Sequence, residues 1–248
     1  KPEALSHLTE KERADYLQIL DKYPEVFSEK PGFCGIVDHE VPMIEGFRPK
    51  HMKAYKVPDK LKEEVGRQIT ELLDLGFIEP CNTTSQVSPL VCVLKPPDKE
   101  GKRNVRICTD YRYVNRFTRP AVSILEDISE IIQRVGGSRY ISKFDAKSGY
   151  HQCPVKPEDR WLTAFVYDNQ IYQWKRVPFG MVGSGDTFVR ALRKVLRPIK
   201  TFTSSYVDDM AVHSNTWDKH LSDVDAYLRV ILDSGFTLGL SNVSLQNP

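Results

Sequence analysis

No stretch of this chain is apolar over the roughly 20 residues that a membrane-crossing helix needs. Nor does the N-terminus, "KPEALSHLTEKERADY", carry the apolar segment of a secretion signal, so no membrane partner is expected. Cysteine is sparse: Cys34, Cys81, Cys92, Cys108 and Cys153 are five in number, widely spaced, and never form a C-x-x-C pair. That argues against a disulfide framework or a zinc site, and for reduced thiols inside a cell. No internal repeat or low-complexity tract interrupts the chain. A strong charge of either sign is missing too, since 35 Lys and Arg face 33 Asp and Glu, for a net charge of +2.

What is present is the composition of an ordinary globular protein. The chain is 40% hydrophobic and 27% charged over 248 residues, enough for one large core or two modest lobes. Charge that balances overall is uneven locally. Lys95 to Arg119 holds eight Lys or Arg against three acids, and Arg190 to Lys200 holds five and no acid. Such patches suit either a phosphate backbone or a solvated surface. The first residue is Lys1, which suggests a segment of a longer polypeptide.

Residues 1–58 read as an extended lead-in with one short helix near Glu10–Lys22. A firmer helix follows in "DKLKEEVGRQITELLDLG", with Leu61, Val65, Ile69, Leu72 and Leu73 on one face, Asp59 as N-cap and Gly76 past its end. "PLVCVLK" and "NVRICTDYR" pair across the charged loop "PPDKEGKR". A second helix opens on a capping box, Ser123-x-x-Glu126, and closes at Gly136-Gly137. "RYISKFDAKSGYHQCPV" reads as a strand, a turn and a return, and "LTAFVYDNQIYQWKRV" as a hairpin turning at Asp168-Asn169. A third helix buries Phe188, Leu192 and Val195 and exposes Arg190, Arg193, Lys194 and Arg197. Strands 201–207 and 210–214 follow, then a helix of Leu221, Val224, Leu228, Ile231 and Leu232 that stops at Gly235, and a last strand at "FTLGL". The order predicts an α+β fold, an antiparallel sheet with helices packed on one face.

Two acids, Asp208 and Asp209, stand between the strands of one hairpin in "YVDDM". Adjacent strand residues point to opposite faces, so one of them is the stronger candidate ligand and the other supports it. Asp145, at the end of "YISKFD", joins them if the two strands are neighbours. Three crowded carboxylates repel one another unless protonated or neutralised, and Mg²⁺, which prefers oxygen ligands, neutralises them. Acids that merely tolerate a turn are the alternative.

"YVDD", "SKFDAKSGYHQ", "RVPFGM", "RICTDYRYVN" and "LLDLGFIEP…SPLVCVLK" occur in the order and at the spacings of one family. Together with "LDKYPEVFSE" and "VDHEVPM", they resemble the reverse transcriptase domain of Gypsy-type LTR retrotransposons, from about Leu17 to Leu240. The resemblance implies a right-hand polymerase: lead-in 1–58, fingers 59–122, palm with an interleaved fingers hairpin 123–177, palm 178–240, and the truncated start of a thumb connection 241–248. It implies RNA-directed DNA polymerase activity on a primer annealed to RNA or DNA, with Asp145 and Asp208 as principal ligands of two Mg²⁺ ions (Mn²⁺ a possible substitute) and Asp209 accessory. It assigns Arg106 to the dNTP triphosphate, Tyr150 to the sugar as a steric gate, Phe179 and Gly180 to the nucleotide pocket, and Arg112 and Arg190 to the primer-template; Pro96 or Pro97 stands where the family has its phosphate-binding lysine, so that task passes to Lys95 or Lys102. Backbone N–H groups of residues 146–149 would face the phosphates. Implied partners are the protease, RNase H and integrase domains of a Pol polyprotein, in a cytoplasmic particle or the nucleus.

The chain departs from the pattern in places. The Lys-rich fingers loop is "LKPPDKEGK" here, "NAPATFQ" is replaced by "GSGDTFVR" with Asp186 adding a negative charge, and "KKC" is replaced within "SNVSLQNP". These changes keep open a degenerate or co-opted copy that binds nucleic acid or protein without catalysis. An RNA-templated RNA polymerase is disfavoured by Tyr150.

Overall fold

The computed structural model describes residues 5–96, 105–122 and 126–239, with the backbone of 244–246. In chain order the elements are α1 (Glu10–Asp21), α2 (Lys62–Asp74), β1 (Ile78–Pro80), β2 (Ser88–Leu94), β3 (Val105–Thr109), α3 (Arg112–Arg116) and α4 (Ile128–Gly136). Next come β4 (Tyr140–Asp145), β5 (Phe165–Tyr167), β6 (Gln170–Trp174), α5 (Ser184–Leu196), β7 (Thr203–Tyr206), β8 (Asp209–Ser214), α6 (Trp217–Ser234) and β9 (Ser244–Gln246). They fall into two compact units. Unit 1 is Lys1–Val37, Val122–Cys153 and Gly185–Pro248; unit 2 is Asp38–Ala121 and Pro154–Ser184.

Unit 1 is built on an antiparallel sheet of order β7-β8-β4-β9. Period-2 alternation decides which residues face its helices. Ser142 and Phe144 of β4 lie opposite Val212 and Met210 of β8, and all four are buried. Phe144 stacks at 4.8 Å on Tyr227 of α6, a helix that also buries Val224, Leu228 and Ile231. Leu232 departs from the expected apolar face and is exposed, because it sits one residue, or about 100°, round from Ile231. Gly235, at φ 81°, ends the helix as expected.

The short helix expected near Glu10–Lys22 is α1. Thr9 and Glu12 form a capping box on α1, and the buried Tyr16 hydroxyl reaches Ser142 Oγ at 2.8 Å. The expected cap of α4 is corrected. Asp127 is its N-cap, accepting from the Ser129 N–H at 2.7 Å, while Glu126 pairs with Arg134 at 2.6 Å; Ser123 lies outside the described residues. α5 buries Phe188, Leu192 and Val195 and exposes Arg190, Arg193 and Lys194 as expected, and Arg197, also exposed, begins the 3-10 turn that follows. The last strand is β9 rather than "FTLGL". Leu238 makes only single bridges, to Phe27 and Ala146, because this segment crosses the end of β4, where the Gly239 N–H donates to the Asp145 carbonyl.

Unit 2 carries a mixed sheet, β1-β6-β5-β2-β3, parallel only between β2 and β5. α2 buries Val65 and Ile69 against Phe77, Ile78, Leu90, Val105, Phe165 and Trp174. The helix is entered through a 3-10 turn, Asp59–Leu61, so Leu61 stands at the cap position of α2, and Asp59 instead pairs with Lys62 at 2.6 Å. The β5–β6 hairpin turns at Asp168 and Asn169, both at positive φ, the conformation a two-residue type I′ turn requires. β3 stops at Thr109, earlier than expected. Asp110 accepts the Arg112 N–H at 3.1 Å, and that turn starts α3. Among the described residues no helix is long and apolar enough to cross a membrane.

Candidate active site

In unit 1, Asp145 is the last residue of β4 and Asp209 the first of β8, and the two are direct cross-strand partners. Such partners share a face with Cα atoms about 5 Å apart, and like charges there destabilise the pair. The alternation that buries Phe144 and Met210 turns Lys143, Asp145 and Asp209 to the other face. Lys143 relieves part of the repulsion, its Nζ lying 3.0 Å from Asp209 Oδ1. Asp208 is exposed in the turn that joins Tyr206 to Asp209. Beside it, Val207 holds φ 57°, a left-handed conformation that a β-branched residue resists.

The antiparallel register therefore brings the three expected acids to one end of one sheet. Among the described residues, no three His, Cys, Asp or Glu side chains already close on one metal position. The donors nevertheless fit a hard divalent cation in kind. They are all carboxylate oxygens, Asp208 and Asp209 are exposed, and the place already attracts a lysine ammonium.

The loop after Asp145 leads to Tyr150. Ala146 bridges Leu238, and the Lys147 N–H donates to the Thr237 carbonyl at 3.3 Å. That amide is directed into the fold, which corrects the expectation that the N–H groups of 146–149 all face outward. Small size at Gly149 answers to packing, since a Cβ there would lie 2.7 Å from the Phe188 ring. Half-buried Tyr150 sits with its ring centroid 6.0 Å from that of Phe188. On α5, Arg190 is half exposed and binds Asp186 at 2.8 Å, which answers the extra negative charge.

In unit 2, Arg106 is exposed on edge strand β3. Gln68 of α2 brackets it, donating to the Val105 carbonyl at 2.9 Å and accepting the Ile107 N–H at 3.4 Å. Lys95 is exposed just beyond β2; most of the loop that follows lies outside the described residues. Arg112 is directed to Asp110 through contacts of 2.6 and 2.9 Å. Those hydrogen bonds, more than any other influence, hold the buried Asp110 carboxyl down at about 2. Phe179 is exposed, and Gly180 adopts φ 90°. Asn115 fixes that corner, donating to the Gly180 carbonyl at 2.8 Å and accepting the Val182 N–H at 3.0 Å.

Lys143, Gln68, Asp110, Asn115 and the buried Gln152 were not singled out in the sequence. Asp110-x-Arg112 carries a local turn signal. Asn115 and Gln152 act on backbone 65 and 85 residues away, which no local pattern announces.

Comparison with known proteins identifies relatives of the chain. Residues 94–242 match the family described as reverse transcriptase (RNA-dependent DNA polymerase). The Pol polyprotein of the Drosophila melanogaster transposon opus is 34% identical over 199 residues, covering 80% of this chain and 19% of the relative. That of transposon gypsy is 30% identical over 187 residues, covering 75% and 18%. The enzymatic polyprotein of Cauliflower mosaic virus (strain NY8153) is 31% identical over 194 residues, covering 78% and 28%. The chain thus spans less than a third of the length of these relatives. The fold is that of the foamy viral protease-reverse transcriptase solved in complex with RNA/DNA hybrid, at TM-score 0.83 and 23% identity over 96% of this chain and 32% of that one.

Proposed function

The chain belongs to the reverse transcriptase family, and from that premise we propose that it is the segment of a Pol polyprotein that extends a primer on an RNA or DNA template using dNTPs. The observation that carries the proposal is the Asp145–Asp209 register with Asp208 in the adjoining turn. Asp145 and Asp208 would hold two Mg²⁺ ions, or Mn²⁺ in their place, with Asp209 in support. When bound, the ions lower the pKa of the primer 3′-hydroxyl and offset the charge of the triphosphate.

Each remaining residue has one task. Arg106 grips phosphate oxygens with its planar guanidinium, and Lys95 adds a point charge. Tyr150 fills the space a 2′-hydroxyl needs, so deoxynucleotides enter. Phe179 and Gly180 form the wall and floor of the nucleotide pocket, where a glycine lets the backbone approach closely. Arg112 and Arg190 face the primer-template backbone. In this reading unit 1 is the palm and unit 2 the fingers, and protease, RNase H and integrase domains are the neighbours in the parent polyprotein.

The ion pair between Lys143 and Asp209 favours one competing reading, a copy that binds hybrid without chemistry. Extension of a DNA primer on an RNA template, with four dNTPs, separates the two. The polymerase makes product only with Mg²⁺ and loses it in Asp208→Asn. Absence of product, with hybrid bound equally well with and without Mg²⁺, supports the binder.

A further inference from the structure

Gln152 has no exposed surface and forms hydrogen bonds through both ends of its amide. Its Nε2 donates to the Lys147 carbonyl at 2.7 Å and to the Thr237 carbonyl at 2.9 Å. Its Oε1 accepts the Thr237 N–H at 2.7 Å. One side chain therefore ties the middle of the Asp145-to-Tyr150 loop to the strand-like segment at 237–239. That segment also holds the start of the loop, because the Gly239 N–H donates to the Asp145 carbonyl and Leu238 bridges Ala146.

The surroundings leave this clamp little slack. A Cβ at Gly32 would lie 2.2 Å from the Gly235 carbonyl oxygen, and one at Gly235 would lie 2.0 Å from the Phe33 carbonyl oxygen. The Gly32 N–H donates to Thr237 Oγ1 at 2.9 Å, and the Cys34 N–H to the Gln152 carbonyl at 2.8 Å. The segment Gln152 grips is thus fixed from behind, so the clamp acts on the loop. That loop holds Ser148 at φ 48°, which a serine keeps only when its neighbours enforce it.

We infer that Gln152 is a positioning residue for nucleotide selection: it fixes the span between Asp145 and Tyr150 and so sets how far the Tyr150 ring stands from the reacting sugar. The inference rests on the polymerase reading above. Gln152 touches no substrate; it acts through the loop. A shift of about 1 Å at Tyr150 is enough to admit a 2′-hydroxyl, and displacements of that size cost catalysis up to about 10²-fold.

The test uses the whole 248-residue chain. Gln152→Glu keeps the shape but sets an oxygen against two carbonyls; Gln152→Met keeps the length without polar atoms. Thr203→Val, buried on β7 outside the clamp, removes a hydroxyl that donates to the Ile199 carbonyl at 2.9 Å. Single-nucleotide incorporation of dNTP and rNTP, hybrid affinity and melting temperature are measured for each. The expected result is that both Gln152 variants remain folded and bind hybrid like the wild type. Their kcat/KM preference for dNTP over rNTP falls about tenfold or more, while Thr203→Val melts earlier with its preference unchanged. Unchanged sugar preference in the Gln152 variants overturns the inference and leaves the polymerase reading intact. So does an equal fall in Thr203→Val, or loss of folding in both Gln152 variants, either of which makes Gln152 a stability residue. A wild-type chain that extends no primer even when joined to the thumb segment of a Pol polyprotein removes the polymerase reading, and the inference with it.

Discussion

Lys143 Nζ lies 3.0 Å from Asp209 Oδ1, on the face of the β4–β8 ladder that also carries Asp145. The ammonium occupies the region where, in the proposed reaction, a divalent cation serves the same carboxylates. Lys143→Met removes this competitor and is expected to tighten Mn²⁺ binding by at most about fivefold, the scale of an exposed ion pair. Titration calorimetry measures it; weaker Mn²⁺ binding in Lys143→Met contradicts the assignment.

Tyr150→Ala is expected to admit ribonucleotides. The dNTP preference in single-nucleotide incorporation should fall by more than about tenfold, since the ring it removes is the part set against a 2′-hydroxyl. Retained discrimination removes Tyr150 as the gate and shifts that role to another wall of the pocket.

Val207 carries positive φ beside Asp208. Val207→Gly relieves a conformation that disfavours Cβ branching, and is expected to raise unfolding free energy by about 1 kcal/mol. Denaturant unfolding checks this, and a destabilised Val207→Gly shows that packing of the valine outweighs its backbone cost.

Unit 1 also contains a buried polar relay. His220 Nε2 lies 2.7 Å from Ser142 Oγ, His220 Nδ1 lies 3.1 Å from Ser214 Oγ, and Ser214 donates to Asp223 at 2.7 Å. Burial pushes His220 down to about 4; Asp223 opposes the shift and His213 adds to it. The folded state thus binds this proton less readily than the unfolded chain. Stability is full above about pH 6.5 and falls as pH drops towards 4, by up to about 3 kcal/mol. Melting temperature followed from pH 7 to 4 should decline in the wild type and decline less steeply in His220→Gln.

Elements with strong periodicity or turn chemistry were legible in the sequence: α5 with its buried Phe188, Leu192 and Val195, the Asp168–Asn169 hairpin, and the end of α6 at Gly235. The convergence of Asp145 with the Asp208–Asp209 turn followed from one condition, that β4 and β8 be neighbours, and they are. Helix starts were less legible, because Asp127 and Asp59 are each near a plausible boundary and only hydrogen bonding separates cap from first turn. Least legible were the long-range polar clamps. Gln152, Asn115 and Gln68 bond to backbone groups whose identity leaves no trace in local composition.

Asp145, Asp208 and Asp209 together are assigned the two divalent cations of the reaction. The most direct measurement is an anomalous difference map from crystals of the chain grown with Mn²⁺ and a dNTP. Two peaks are predicted within about 2.0–2.1 Å of carboxylate oxygens of Asp145 and Asp208, lost in Asp145→Asn. Mn²⁺ bound elsewhere with those carboxylates empty, or a map unchanged in Asp145→Asn, contradicts the assignment.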